Sequence, residues 1–420
     1  MIIRNATLAD GRVRDVRIDG ETIDEIGEAL DDDGETIDAT GKRLLPGMID
    51  AHVHFREPGF SHKETWTTGS RSAAAGGVTT AVDQPNTDPA TIDGDGFDRK
   101  AELARQSSID YGISGGVTES WSPDELFDRP LFALGEVFLA DSTGDMGIDA
   151  ELFEEAVELA TDAGITVTVH AEDATLFDES AKDRDDADAW SAFRTAEAEI
   201  EAIDRACSVA RRSGATIHVA HTSTPEGAEI AAEAGMSCEA TPHHLFLSRE
   251  DLERLGTLGR MNPPLRSEVR REKLFERLVD GTVDIVATDH APHTRAEKDA
   301  GIWEAPSGVP GVETALPLLL EAARNDDISY ERVRDVTAAN VAEIFELPSK
   351  GRIEEGYDAD LVLVDPDAST PIEATELHSK CMWTPFEGTN AVFPELTMLR
   401  GTVVYRNGEF TEGTGENVRA

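Results

Sequence analysis

AELFEEAVELATDAGITVTVHAED (150–173) decides the fold. Its first part is an amphipathic helical pattern that stops at Gly164, and ITVTVH (165–170) is a short β-branched run ending on a histidine. The same helix-then-strand order returns in EAEIEAIDRACSVARRSG (197–214) followed by ATIHVA (215–220), the alternation that builds a parallel sheet. Working outward, candidate strands occupy 44–50, 78–83, 109–117, 131–138, 165–170, 215–220, 236–241 and 283–288. Eight such units in roughly 300 residues predict an α/β fold, a TIM-type (β/α)8 barrel over 49–345. A doubly wound open sheet is the competitor, but no GxGxxG follows the first strand.

The two ends read differently. IIRNATLAD, GRVRDVRIDG, TIDEIGE and ETIDATGKRLLPGMID are short strands separated by Gly and Asp-Gly turns, and GRIEEGYDADLVLVD (351–365) and LRGTVVYRNGEF (399–410) match them. Residues 1–48 and 346–420 together therefore predict one small β-sandwich domain, with the barrel inserted between its halves.

A formal net charge of −46 over 420 residues argues against nucleic acid or an anionic membrane surface as partner. Apolar residues make up 39% of the chain and recur along it, so the acid excess is not the signature of disorder. The basic residues comprise 8 Lys and 30 Arg. Abundant acid with scarce lysine resembles proteins of salt-saturated cytoplasm, where a Debye length of about 3 Å at 1 M salt screens self-repulsion. Cys207, Cys238 and Cys381 are too scattered for a disulfide framework, and there is no signal-peptide pattern or apolar run of membrane-spanning length. The expectation is a cytoplasmic protein.

Ten of the 11 histidines fall in the proposed barrel, and several fall at strand ends. His52 and His54 follow the first strand, His170 and His221 end the fifth and sixth, His243 and His244 follow the seventh, and Asp289-His290 end the eighth. Barrel active sites form at the C-terminal ends of the strands, so these side chains converge on one mouth. Histidines at i and i+2 on a strand face the same way, so His52 and His54 can reach one cation. Imidazole and carboxylate ligands without cysteine suit Zn²⁺, with Mn²⁺ or Co²⁺ as alternatives. His218 points away from His221 and is expected to pack in the core. His62 is expected in an exposed loop. His243 and His244 are candidate partners of the ligands, with Glu239 as a spare carboxylate nearby.

DAHVHFREPG (50–59), VHAED (169–173), HVAHTST (218–224), TPHHLFLS (241–248), RMNPPLR (260–266) and ATDHAPHT (287–294) resemble the cyclic amidohydrolase superfamily. Within it they most resemble the dihydroorotase family, in its long form with a barrel and a β-sandwich. The resemblance implies reversible cyclisation of N-carbamoyl-L-aspartate to (S)-dihydroorotate in pyrimidine biosynthesis, two metal ions per chain, and a homodimer. It implies that His52, His54 and Asp289 bind the first metal and His170 and His221 the second, with Asp289 also the catalytic proton carrier. Arg56, Asn86 and His293 would meet the substrate's free carboxylate, Asn262 the pyrimidine edge, and the backbone of Pro310 and Gly311 the ring. HFREPG, with Arg56, separates the chain from allantoinases and hydantoinases. A catalytically inactive scaffold is the reading from another class, but such proteins usually lose the HxH or the last-strand Asp, and this chain keeps both.

One position departs from the family pattern. Many relatives carry a CO₂-modified lysine at the end of the fourth strand, bridging the metals. EVFLADSTGD (136–145) aligns there with Glu136 in its place, and no lysine lies between Lys100 and Lys182. Glu136 is the candidate bridging carboxylate, of the same charge as the modified lysine but shorter reach. Either the strand moves inward, an acid such as Asp141 assists, or the site holds one metal. The plain alternative is a solvated strand-end acid. The 140–147 loop and Gly308–Gly311 are candidates to close over substrate.

Overall fold

The computed structural model describes residues 1–31, 34–140, 146–412 and 415–420. Asp141 and most of the 140–147 loop therefore lie outside the described residues.

The chain opens with β1 (Ile2–Thr7), β2 (Val13–Asp19), β3 (Thr22–Gly27), β4 (Thr36–Asp38) and β5 (Arg43–Pro46). The barrel strands follow: β6 (Met48–Val53), β7 (Val78–Asp83), β8 (Asp110–Ile113), β9 (Leu134–Phe138), β10 (Val167–His170), β11 (Ile217–Val219), β12 (Ser237–Ala240) and β13 (Ile285–Val286). Parallel pairing runs through β6-β7-β8 and through β9 to β13. Bridges at Gly115–Leu134 and Val53–His290 join the two sets into a closed ring. The eight βα units expected from the alternation are present. The 150–173 segment folds as read, with a helix at Ala150–Ala163 capped by Asp149 at its start and by left-handed Gly164 at its end.

The first strand needs correction. LLPGMID is not one barrel strand: Arg43–Pro46 belongs to the end domain and Met48–Val53 to the barrel, with Gly47 between them. A Cβ at Gly47 would lie 2.2 Å from Thr79 Oγ1, so only glycine lets the chain pass from one sheet to the other there. The apolar run was legible, but its change of sheet is a tertiary event.

The chain closes with β14 (Leu361–Pro371), β15 (Asn390–Leu399), β16 (Thr402–Arg406) and β17 (Glu409–Phe410). β14 pairs with β5, so the two ends form one nine-stranded sheet. Ile3, Val16, Ile18 and Leu44 from one end share a core with Leu361, Leu363, Leu396 and Met398 from the other. β15 carries Pro394, a residue that argues against an interior strand; it sits beside a register shift against β14, where a missing N–H is tolerated.

No helix among the described residues is long and apolar enough to cross a membrane. Cys207, Cys238 and Cys381 are free and buried.

Candidate metal centre

The strands deliver their polar residues to one mouth. His52 lies in β6, Glu136 in β9 and His170 at the end of β10, while His54, His221 and Asp289 lie just beyond β6, β11 and β13. All six are buried. Arg56, His221 and Asp289 hold left-handed backbone at φ 67°, 34° and 45°. Non-glycine residues in that region cost about 1–3 kcal/mol each, and such strain persists where the surroundings over-determine it.

Two clusters have the donor set of a divalent-metal centre: His52, His54 and Glu136, and Glu136, His170 and His221. In each, the candidate ligand atoms lie within 4.8 Å of one another, and Glu136 is common to both. Glu136 Oε1 is 2.9 Å from His170 Nδ1 and 2.5 Å from His221 Nε2, and Oε2 is 3.4 Å from His52 Nε2. Asp289 Oδ1 stands 2.9 Å from His54 Nε2 and 3.7 Å from His52 Nε2. Burial favours the neutral acid of Glu136, but His221, His52 and His170 hold its carboxyl well below the usual range.

The imidazoles are prepared for ligation. His52 Nδ1 is 2.7 Å from Glu239 Oε1, His54 Nδ1 is 2.7 Å from Asn86 Oδ1, and His170 Nε2 is 2.9 Å from Glu172 Oε2. Each acceptor holds one ring nitrogen and leaves the other facing the Glu136 or Asp289 carboxylate, where a cation between nitrogen and oxygen would be held by both. His52 Nε2 is buried without a hydrogen-bond partner and lies 3.4 Å from Glu136 Oε2, which leaves it free for a cation. These residues fit a divalent metal. Glu239 does more than orient His52: it accepts from the His221 backbone N–H at 3.1 Å and lies 3.0 Å from His218 Nε2. His218 is thus buried but bound to Glu239 and to Ser237 Oγ. Arg194 pairs with Glu172, completing a buried Arg–Glu–His chain.

The sequence alone does not assign Glu172 a role and offers Glu239 only as a spare carboxylate. The signals existed: Glu172 is two residues past a strand-end histidine, and Glu239 is a lone acid inside the apolar strand MSCEAT. What the sequence lacks is the partner, since His52 and Glu239 are 187 residues apart.

A cavity open to solvent lies over the clusters, lined by His54, Arg56, Asn86, Glu136, Asn262, Asp289 and neighbours. Burial draws the Arg56 guanidinium down to about 10, which leaves it charged at neutral pH. Its Nε donates to Pro292 O at 3.2 Å, and Nη2 lies 3.2 Å from His293 Nε2. His293 stands behind Arg56 rather than on the cavity wall, and burial with the nearby Arg56 and Lys63 cations keeps it neutral. Asn262 accepts from Trp190 Nε1 at 2.9 Å. Pro310 and Gly311 line a neighbouring cavity with His290, while Ala291, Ser307 and Gly308 line this one. His244 Nε2 donates to Pro263 O and its Nδ1 meets Thr241 Oγ1, each at 2.9 Å, His243 is buried against it, and His62 is exposed.

Asp83 and Lys100 form a fully buried pair at 2.6 Å, and Asp83 Oδ1 accepts the Phe55 N–H at 2.6 Å. That pair holds the backbone between His54 and Arg56, tying a metal-ligand candidate and a charged cavity residue to β7.

Residues 43–404 match the amidohydrolase family. The chain is 66% identical over 419 residues to a dihydroorotase of Halobacterium salinarum, covering 100% of this chain and 99% of that protein. It is 45% identical over 403 residues to a dihydroorotase of Methanosarcina mazei, covering 90% and 88%. Among solved structures it is similar to an L-hydantoinase (dihydropyrimidinase) from Arthrobacter aurescens, with TM-score 0.94, 30% identity and coverage of 99% and 98%. The acidic, lysine-poor composition agrees with the first relative's source. A closed barrel, paired His/Glu clusters at its mouth and a match running nearly end to end lead to one conclusion: the chain belongs to the amidohydrolase family, on its dihydroorotase branch.

Proposed function

We propose that this chain catalyses the reversible cyclisation of N-carbamoyl-L-aspartate to (S)-dihydroorotate and water, with two Zn²⁺ ions per chain. His52, His54 and Asp289 would hold one ion, His170 and His221 the other, and Glu136 both. Bound divalent cations polarise an amide carbonyl and lower the pKa of an attacking water.

The protein's own groups do the rest. In the hydrolytic direction the Asp289 carboxylate, beside His54 and His52 at the cavity, accepts the nucleophile's proton and returns it to the leaving ring nitrogen. Arg56 binds the substrate carboxylate through a planar fork, anchored by its Nε–H to Pro292 O. Asn86 orients His54 through Oδ1 and offers its amide N–H₂ to the same carboxylate. Asn262 meets the pyrimidine edge. The backbone contact expected of Pro310 and Gly311 we assign to Ser307 and Gly308, which line the cavity.

The observation that carries this reading is Arg56: a buried cation lining the same cavity as the two His/Glu clusters suits a cyclic amide that bears a free carboxylate. The test is turnover in molar KCl with Zn²⁺, comparing N-carbamoyl-L-aspartate and dihydroorotate with allantoin and hydantoin. Chelator-sensitive turnover of the first pair alone is expected, with Arg56→Met raising KM for dihydroorotate about 10–100-fold, the worth of one charge-assisted hydrogen-bond pair. Turnover of hydantoin or allantoin instead would overturn it. The homodimer belongs to the same reading, and light scattering in the same buffer tests it.

A further inference from the structure

Lys298 is one of the largest fully buried side chains of the molecule, with 0% exposure. No carboxylate among the described residues pairs with it within 4.0 Å. Its ammonium meets three backbone carbonyls instead: Arg260 O at 2.9 Å, Pro306 O at 2.9 Å and Gly308 O at 3.1 Å. Three acceptors call for three N–H donors, which an ammonium has and a neutral amine lacks. An unpaired buried charge is expensive, so its retention asks for a reason.

The carbonyls belong to two segments that form one wall of the cavity. Asn262 follows Arg260, and Ser307 and Gly308 line the cavity directly. The Gly308 N–H also donates to Arg260 O at 3.0 Å, Arg260 Nε donates to Ser307 Oγ at 3.2 Å, and His293 Nε2 donates to Ser307 O at 2.9 Å. Lys298 sits at the centre of this web and does not itself line the cavity. It touches none of the His/Glu ligands.

We infer that Lys298 is a positioning residue for substrate: it clamps the 260–262 and 306–308 segments into the wall that meets the ring and its carboxylate. This rests on the dihydroorotase reading, and it assigns the lysine a role in binding rather than in metal capture. A methionine keeps much of the bulk and removes all three donors, leaving three carbonyls without them and the wall loose.

The experiment measures kcat and KM for dihydroorotate, bound metal per chain, and thermal midpoint for wild type and Lys298→Met in molar KCl. The expected result is a KM raised tenfold or more, kcat within threefold, and unchanged metal content. Lys298→Gln, which keeps two donors, should fall between them. An unchanged KM in folded Lys298→Met overturns the inference, as does a fall in kcat and metal content at constant KM. Should Lys298→Met not fold, Thr257→Val is read by the same criterion, since it removes the hydroxyl that donates to Lys298 O at 2.5 Å. A wild-type enzyme inactive on dihydroorotate would instead sink the underlying reading and leave a different signature.

Discussion

Replacing Gly135 with alanine should disable the metal centre by moving its neighbour Glu136. Gly135 holds φ 145°, and a Cβ built there lies 2.1 Å from Thr168 Oγ1 and 2.4 Å from Thr168 O. The hydroxyl could rotate, but the carbonyl is part of the β10 backbone. Reaching ordinary contact would part β9 from β10 by about 1 Å, an overpacking that costs about 1–3 kcal/mol. The backbone conformation adds about 1–3 kcal/mol for a residue with a Cβ. Glu136 would move with its strand, away from His170 Nδ1 at 2.9 Å and His221 Nε2 at 2.5 Å. A misplacement of about 1 Å at a reacting centre is worth roughly 100-fold in rate. The assay is kcat/KM for dihydroorotate with metal per chain and thermal midpoint, all in 2 M KCl. Gly164→Ala is the control: it too has positive φ, 70°, but a Cβ there meets nothing within 4 Å. It should lose stability alone. Folded Gly135→Ala with full metal and kcat/KM within threefold of wild type would refute the idea that glycine brings the shorter Glu136 into reach.

Three further outcomes are expected. Glu136→Ala should bind at most one metal per chain and lose at least 100-fold in turnover, since both clusters share this carboxylate; unchanged stoichiometry by elemental analysis would end its ligand role. His378 is paired with Glu313 at 2.7 Å, which raises its pKa above the ordinary 6.5. The folded state therefore holds that proton more tightly than the unfolded one, so the pair's stabilisation is full below pH 6.5 and fades as pH rises through the folded value. The thermal midpoint gap between wild type and His378→Gln should shrink from pH 6 to pH 8.5, and a constant gap would count against it. With a net charge of −46, the thermal midpoint should rise between 0.1 and 2 M KCl, and an unchanged midpoint would contradict the screening argument.

Much was legible in the chain because local period and strand-end position carry it. The AELFEEAVELATDAG helix and the ITVTVH strand announce themselves by spacing, and the histidines at strand ends forecast one mouth because a parallel barrel puts all those ends together. The absence of any lysine from 101 to 181 by itself excluded a modified lysine in the fourth strand. The tertiary structure alone decided the rest, for the reason that hydrogen bonds and close contacts pair residues far apart in sequence. Whether Glu136 could reach was a matter of how near β9 runs to β10, which depends on a missing Cβ at Gly135. Which nitrogen each histidine offers depends on Glu239, Asn86 and Glu172, and the first of these comes from six strands beyond its partner. The break of LLPGMID between two sheets, and the gathering of three carbonyls on Lys298, likewise exist only once the chain has closed on itself.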